Sequence, residues 1–170
     1  MDQKKSKNDT LGPIPSVTLS PHFTLGELTK TSVKGVNNVP PQEAIENLKR
    51  VCEWLEHLRA QYNLLYSDGS HPIIINSGYR SEAVNKKVGG SPTSNHLTGC
   101  AVDIKVFGIE EALRYAVILL NYADLTREKF DELLIERSPR GTYWLHFAVR
   151  PPLRQAQGPV NRRHIRFIQT

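Results

Sequence analysis

The chain has 170 residues, of which 39% are hydrophobic and 23% charged, proportions typical of one globular domain with a substantial core. No apolar run approaches the roughly 18 residues that a membrane-spanning helix needs. The charged N-terminal stretch MDQKKSKNDT is not followed by the apolar segment of a secretory signal. We therefore expect synthesis in the cytoplasm, without a signal peptide and without a transmembrane segment.

Lysine and arginine outnumber aspartate and glutamate by 22 to 17, which gives a formal net charge of +5. A basic excess is compatible with nucleic-acid binding, but no basic helix and no interleaving of aromatic and basic residues accompanies it here. Attraction to another anionic polymer explains the charge equally well. We therefore expect no nucleic-acid partner, and we expect the chain to act as a monomer.

Residues 1–20 are rich in Lys, Asp, Pro and Ser, and we expect them to be a flexible segment ahead of a domain that spans residues 21–170. The stretch HFTLGEL predicts a short helical turn. After Pro41, apolar residues recur at intervals of three and four, which predicts a long amphipathic helix. The residues of that apolar stripe are Ala44, Ile45, Leu48, Val51, Cys52, Leu55 and Leu58.

A β-branched run at residues 73–75 predicts a buried strand that leads into the loop NSGYR. Ser81 suits the N-cap of a short helix over residues 82–88. Side chains of alternating polarity predict a second strand at residues 100–106. The remaining elements are a helix, a short helical segment, two strands joined by a turn, a loop and an edge strand, at residues 109–122, 125–130, 132–136, 143–149, 150–161 and 164–168. This order predicts a single α+β domain, a small and mainly antiparallel sheet flanked by helices.

The most informative segment runs from Ser94 to Asp103 and places a histidine in a loop and a carboxylate on a strand seven residues later. Gly99 between them permits a tight approach of the backbone. Asp103 shares its face of the strand with the small Ala101, away from the apolar face, so its carboxylate needs a partner. A divalent metal is a natural partner, with His96 as a second ligand.

A candidate for the third ligand is His146, which alternates with Leu145 and Phe147 in a strand expected to lie beside that of Asp103. Two histidines and one carboxylate, with a fourth position open to water, form the arrangement of a catalytic zinc site. Loop histidines and strand aspartates are also common without any metal. The spacing alone leaves that alternative open.

The segment around His96 resembles the SxHxxGxAxD motif of the zinc D-Ala-D-Ala peptidases, a superfamily that includes VanX-type dipeptidases and the hedgehog signalling domain. The matching residues are Ser94, His96, Gly99, Ala101 and Asp103. WLHFAV, at residues 144–149, resembles the strand that carries the family's last zinc ligand, and SGYRS, at residues 77–81, resembles its substrate-contacting segment. The similarity extends from about residue 23 to residue 149, and the segment up to PPQEAIENL most resembles short phage- and prophage-associated members.

The resemblance implies a hedgehog-like fold and one Zn²⁺ ion held by His96, Asp103 and His146. It also implies hydrolysis of an amide bond in D-Ala-containing stem or cross-link peptides of peptidoglycan, with the cell wall as the site of action. In such a site the metal polarises the scissile carbonyl and activates water. The family's arginine, here Arg80, contacts the substrate and helps to hold negative charge in the transition state. Ser94 is expected to orient His96 or cap its loop, and to line the substrate site.

The position of the catalytic base varies among the members of this family more than the positions of the metal ligands do. Many relatives carry an acidic residue three positions before the last histidine, where this chain has Tyr143. Glu136 ends the apolar strand that leads to the ligand strand, and short-form members and hedgehog place their glutamate in that earlier strand. We expect Glu136 to be the base, with a plain surface role as its alternative. Tyr143 is expected to donate a hydrogen bond to the substrate or simply to pack.

Three functions remain in competition at this point. The first is a zinc peptidase that acts on peptidoglycan, as a carboxypeptidase or as an endopeptidase. The second is a zinc-stabilised binding domain that has lost catalysis, for which hedgehog is a precedent. The third, a nucleic-acid-binding module, rests on the net charge alone. Arg80 and Glu136 favour the enzyme, whereas Tyr143 at the usual acidic position keeps the second function open.

Overall fold

The computed structural model describes residues 17–150 and 164–169, and a five-stranded sheet forms its centre. The first sixteen residues of the expected flexible segment, and residues 151–161 of the expected loop, lie outside this part of the chain. Within it, no helix is long and apolar enough to cross a membrane.

The described chain begins with two short antiparallel strands, β1 (Thr18–Ser20) and β2 (Phe23–Thr24), and the short helix α1 (Leu25–Leu28) follows. Thr24 caps α1 because its hydroxyl accepts a hydrogen bond from the backbone N–H of Glu27, and the Glu27 carboxylate accepts one from the backbone N–H of Thr24. The helical turn expected in HFTLGEL is confirmed. Strand β1 lies inside the segment, residues 1–20, that was expected to be flexible.

Helix α2 (Gln42–Tyr66) is the long amphipathic helix that the apolar periodicity predicts. It begins directly after Pro41, whose missing N–H costs nothing at a helix start. Its buried apolar residues are Ala44, Leu48, Val51, Cys52, Trp54, Leu55, Leu58 and Tyr62. This face supplies a large part of the hydrophobic core.

The central sheet has the strand order β3-β4-β6-β5-β7. Its strands are β3 (Ile75–Ser77), β4 (Ala101–Lys105), β5 (Phe130–Arg137), β6 (Tyr143–Val149) and β7 (His164–Gln169). Every neighbouring pair is antiparallel except β5 and β7, which run parallel. The expected α+β domain with a mainly antiparallel sheet is confirmed, and β7 is the expected edge strand.

Three helical segments lie along the chain between β3 and β5. They are α3 (Glu82–Lys87), a short 3-10 helix (Asn95–Thr98) and α4 (Ile109–Thr126). Ser81 caps α3 as expected, because its hydroxyl accepts a hydrogen bond from the backbone N–H of Val84. Helices α2 and α4 pack on the same face of the sheet.

The strand register separates an apolar face from a polar face. Ile104 of β4 lies opposite Leu145 of β6, and both are fully buried in the core beneath α2 and α4. Because side chains alternate along a strand, the next pair in the ladder, Asp103 and His146, points to the other side. The acidic and aromatic residues that share this polar face are Glu132, Glu136 and Trp144.

The strand expected at residues 73–75 is misplaced by two residues. Pairing with β4 begins at Ile75 and continues to Ser77, which lies opposite Asp103. The β-branched run indicated a strand in this region, but the partner strand decides which residues are paired. The expected burial is also incomplete, since Ile74 is exposed.

The short helical segment expected near residues 125–130 is wrong. Helix α4 runs without interruption to Thr126 and ends at Arg127, which adopts the left-handed conformation with φ 59°. This conformation stops the helix and turns the chain back toward the sheet. Phe130 then begins β5 and is 1% exposed, so tertiary packing overrides the local helical preference.

Candidate metal centre

Three separate elements bring His96, Asp103 and His146 together. His96 lies in the 3-10 helix, Asp103 at the middle of β4, and His146 directly opposite it on β6. One potential ligand atom from each side chain lies within 4.8 Å of the other two. All three residues are buried, with exposures of 2%, 9% and 7%. The structure therefore assembles the group that the sequence motif and the WLH strand predicted separately.

The donor atoms are arranged around a single oxygen of Asp103. Its Oδ1 lies 3.2 Å from Nε2 of His96 and 2.9 Å from Nδ1 of His146. Its other oxygen, Oδ2, accepts a hydrogen bond from Arg80. One carboxylate thus faces two imidazoles on one side and a guanidinium on the other.

His96 is oriented by the backbone behind it. Its Nδ1 lies 2.6 Å from the carbonyl oxygen of Gly78, an atom that only accepts, so Nδ1 carries the proton and Nε2 presents its lone pair to the site. Gly78 is required here for lack of space, because a Cβ atom would lie 2.2 Å from the carbonyl oxygen of Leu28. The glycine of the SGYRS segment thus holds the carbonyl that fixes a ligand.

Gly99 ends the 3-10 helix that carries His96. It has φ +72°, in the left-handed region, and a Cβ atom there would lie 2.4 Å from the carbonyl oxygen of Ala44 in α2. A side chain is therefore excluded both by the backbone conformation and by the close approach of α2. This is the physical reason for the glycine between the histidine and the aspartate.

The charges in the group favour a bound cation. Burial alone would raise the pKa of Asp103, but the facing His96 and His146 hold it well below its usual range. Burial lowers the pKa of His96. Burial also acts to lower the pKa of His146, but hydrogen bonds with the carboxylates of Asp103 and Glu132 raise it to about 9. Asp103 is therefore ionised, and the carboxylates of Asp103 and Glu132 stabilise positive charge at His146.

Arg80 lies beside the group, on the loop that follows β3. Its Nε donates to Oγ of Ser77 at 2.9 Å, its guanidinium pairs with Asp103, and its backbone N–H donates to the carbonyl oxygen of His96 at 3.1 Å. The side chain is 17% exposed. The structure thus places Arg80 at the edge of the metal group, where it borders a cleft.

That cleft has a volume of about 230 Å³. Polar and apolar residues both line it, namely Lys30, Thr31, Ser32, Asn76, Ser77, Tyr79, Arg80, Val84 and Val88. Arg80 and Ser77 belong both to this cleft and to the surroundings of Asp103. A molecule bound over the metal group therefore has space to extend into the cleft.

Two glutamates flank the group on the polar face of β5. Glu132 and Glu136 lie two residues before and two residues after Leu134, which is paired with His146, and Glu136 is itself paired with Trp144. Burial raises the pKa of Glu136, with smaller opposing contributions from His146 and from a hydrogen bond with Trp144. The structure therefore places the expected base on the same face as the metal group and within its electrostatic reach.

Glu132, the second of these glutamates, was missed by the sequence reasoning. Its Oε2 lies 3.3 Å from Nε2 of His146 and 3.0 Å from Nδ2 of Asn95. The signal that would have identified it is the alternation of β5, since residues 132 and 136 of the predicted strand share one face.

The two other residues expected at the substrate site, Ser94 and Tyr143, have different surroundings in the structure. The hydroxyl of Ser94 accepts a hydrogen bond from the backbone N–H of His96 at 3.3 Å, which caps the 3-10 helix as expected. The ring of Tyr143 lies 5.7 Å from the guanidinium of Arg137 and 6.2 Å from the ring of Phe167. These contacts are those of a packing residue beside β7.

The donor set fits zinc. Two imidazole nitrogens and one carboxylate oxygen are the ligands of open, catalytic zinc sites. The second nitrogen of each imidazole also has an acceptor, the carbonyl of Gly78 for His96 and Glu132 for His146, as is usual for metal-bound histidines.

Comparison with known proteins agrees with this chemistry. A family model described as Peptidase M15 matches residues 21–131, a segment that includes Arg80, His96 and Asp103 but ends before Glu136 and His146. No curated protein matches the chain significantly. The fold supplies what the match leaves out, because β6 pairs with β4 and sets His146 opposite Asp103. Since the matched segment is well over half of the sequence, the chain belongs to the Peptidase M15 family, and this membership implies a zinc-dependent metallopeptidase.

Proposed function

We propose that the protein hydrolyses an amide bond in the stem or cross-link peptides of bacterial peptidoglycan, with His96, Asp103 and His146 holding one zinc ion. The observation that carries the proposal is the meeting of these three ligand atoms within 4.8 Å in a chain of the Peptidase M15 family. Zinc in such a site polarises a carbonyl and makes water a better nucleophile at neutral pH.

Glu136 is the proposed base. It is better suited than Glu132, because the carboxylate of Glu132 is already engaged by His146 and Asn95. Burial raises the pKa of Glu136 toward the range in which a carboxyl group both takes and returns a proton. In the proposed reaction Glu136 takes a proton from the attacking water and delivers it to the leaving amine.

Arg80 is proposed to bind the substrate and to stabilise negative charge on the scissile carbonyl oxygen. Its guanidinium is fixed by Ser77 and Asp103 at the border between the metal group and the cleft. A guanidinium held in advance requires little reorganisation when charge develops, which makes its electrostatic contribution effective.

The cleft beside Arg80 is the proposed position of the peptide next to the bond that is cut. Lys30 and Arg80 supply positive charge, and Val84 and Val88 supply an apolar wall. This combination suits a peptide with carboxylate groups and small apolar side chains, as in peptidoglycan stems. The net charge of +5 would attract the chain to such an anionic polymer, with the cell wall as the site of action.

The test uses the purified chain loaded with one equivalent of zinc, and two substrates: a synthetic stem peptide ending in D-Ala-D-Ala, and a cross-linked peptide dimer. Mass spectrometry of the products distinguishes release of free D-Ala from cleavage of the cross-link. We expect hydrolysis of at least one substrate, its loss with a chelator, and its absence in His96→Ala.

Two outcomes would contradict the proposal. If the wild-type chain binds one zinc ion but cleaves no amide substrate, it is a zinc-stabilised binding domain. If the wild type retains no more zinc than His96→Ala, the proposed metal site is wrong.

A further inference from the structure

The imidazole of His146 lies between two carboxylates. Its Nδ1 is 2.9 Å from Oδ1 of Asp103, and its Nε2 is 3.3 Å from Oε2 of Glu132. The residue is 7% exposed, so water offers little alternative partnership to either nitrogen. Because Oδ1 of Asp103 also faces Nε2 of His96, the metal-facing nitrogen of His146 is Nδ1.

A neutral imidazole has one N–H and one lone pair, and only the lone pair binds a metal. If Nδ1 is the ligand atom, Nε2 carries the proton and needs an acceptor inside the protein. Glu132 provides that acceptor, since an ionised carboxylate accepts hydrogen bonds and donates none. Its position therefore selects the tautomer that zinc binding requires.

Glu132 is itself held in place. The amide nitrogen Nδ2 of Asn95 donates to Oε2 of Glu132 at 3.0 Å and to Oδ2 of Asp131 at 2.9 Å. Asn95 immediately precedes His96 in the 3-10 helix. The segment that carries one histidine ligand is thus tied, through Glu132, to the side chain of the other.

We propose that Glu132 is a positioning residue that fixes the orientation and tautomer of His146 for zinc. This inference rests on the proposed metal site. The other histidine obtains the same support from the backbone carbonyl of Gly78, so Glu132 is the side-chain member of a pair of acceptors behind the two imidazoles. Acceptors of this kind raise metal affinity by about 10- to 100-fold in other sites.

The experiment measures zinc affinity by competition with a chromophoric chelator at pH 7, without substrate. Glu132→Ala removes the acceptor, and we expect its dissociation constant for zinc to rise about 10- to 100-fold. Glu132→Gln keeps a carbonyl oxygen that accepts the same N–H, so we expect most of the affinity to return. The matched control is Glu128→Gln, an exposed residue in the turn before β5, for which we expect the zinc affinity to stay within about threefold of wild type.

A second measurement separates positioning from a general loss of structure. Long-range ¹H–¹⁵N correlation spectra of the zinc-loaded wild type should show Nε2 of His146 protonated and Nδ1 bound to the metal. In Glu132→Ala we expect the Nε2 proton to exchange faster with water, while urea unfolding of the metal-free protein shows that the domain still folds.

Three different results would overturn the inference, and each would mean something different for the site. Equal zinc affinity of Glu132→Ala and wild type would overturn the role of Glu132 and leave the metal site intact. Equally weak binding by the Gln and Ala variants would show that the negative charge matters and that the hydrogen bond does not. Absence of zinc binding by the wild type would overturn the metal site, and the role of Glu132 with it.

Discussion

At the scale of single residues, the site depends on how each buried polar group is matched to a partner. Asp103 faces two imidazoles with one oxygen and the Arg80 guanidinium with the other. Burying a carboxylate is costly unless such partners replace water. The two glutamates of β5 meet this requirement with different partners. Glu132 contacts His146 and Asn95, whereas Glu136 has a hydrogen bond with Trp144.

The proposed role of Glu136 predicts a loss of rate without a loss of metal. In Glu136→Gln we expect hydrolysis to fall by about 10²- to 10⁴-fold, the usual contribution of a general base, while one zinc ion remains bound. Steady-state hydrolysis of the stem peptide and metal analysis of the same sample measure both. The control is Glu128→Gln, an exposed residue in the turn before β5, which should hydrolyse like wild type. Undiminished hydrolysis by Glu136→Gln would mean that another group is the base.

We predict that replacing Gly99 by alanine destabilises the protein more than the same change at Gly89. In Gly99→Ala the new Cβ would meet the Ala44 carbonyl at 2.4 Å in a backbone with φ +72°. We expect the free energy of unfolding to fall by about 2 kcal/mol or more. Gly89 has nearly the same φ, +74°, but open space around it, so Gly89→Ala should lose only about 1 kcal/mol.

Urea denaturation of the metal-free proteins measures both glycine variants under the same conditions. The difference between them isolates the close approach of α2 from the backbone strain that the two positions share. Equal losses would show that the loop relaxes away from Ala44, and that the conformation of the glycine alone explains its place in the motif.

At the scale of the elements, hydrogen bonds and register join segments that are distant in the sequence. Glu56 of α2 shows this for the N-terminal strands. Its carboxylate accepts from Oγ of Ser20 at 2.7 Å, from the backbone N–H of His22 at 2.8 Å, and lies 2.7 Å from the imidazole of His22. The turn between β1 and β2 is thereby fixed to the long helix.

The Glu56 contacts predict a pH dependence of stability. Burial acts to raise the pKa of Glu56, but hydrogen bonds from Ser20 and His22 lower it below the ordinary value of a glutamate side chain. A carboxyl group with a lowered pKa stabilises the folded state above its unfolded pKa, near 4.3, and loses this contribution as the pH falls through its folded pKa.

Glu56→Gln should therefore reduce stability by about 1 kcal/mol at pH 7 and by less at pH 3. Guanidinium denaturation at the two pH values measures the difference. Glu53→Gln, on an exposed position of the same helix, is the matched control and should change stability little at either pH. A Glu56→Gln effect of the same size at pH 3 and pH 7 would contradict the interpretation.

At the scale of the whole molecule, the metal group joins side chains from three elements of the fold. His96, Asp103 and His146 come from three elements, and 50 residues separate the first from the last. A ligand that binds only the folded chain stabilises it according to its concentration and affinity. Zinc should therefore act on the stability of the entire domain.

We expect zinc at 100 times its dissociation constant to add about 2.7 kcal/mol to the free energy of unfolding. For a chain of this length that corresponds to a rise in Tm of about 5–10 °C. Differential scanning calorimetry with and without zinc measures it, and His96→Ala should show no rise. A similar rise in His96→Ala would mean that zinc binds elsewhere on the chain.

The sequence by itself determined the elements and the identities of the candidate ligands. Apolar residues at intervals of three and four specify α2, and alternation specifies β4 and β6, because local periodicity matches the geometry of a helix or a strand. The motif around His96 and the WLH strand named the three residues before any contact was known. The limits of β3 and α4 were misjudged because pairing and packing, not local preference, decide them.

Only the tertiary structure decided how these residues act together. The register of β4 and β6 places His146 opposite Asp103, and the curvature of the chain at Gly99 brings His96 to the same oxygen. The pairing of β5 with β6 brings Glu132 into contact with His146. Sequence periodicity assigns a side chain to a face of its own strand, whereas its neighbours across the sheet depend on long-range pairing that no local pattern contains.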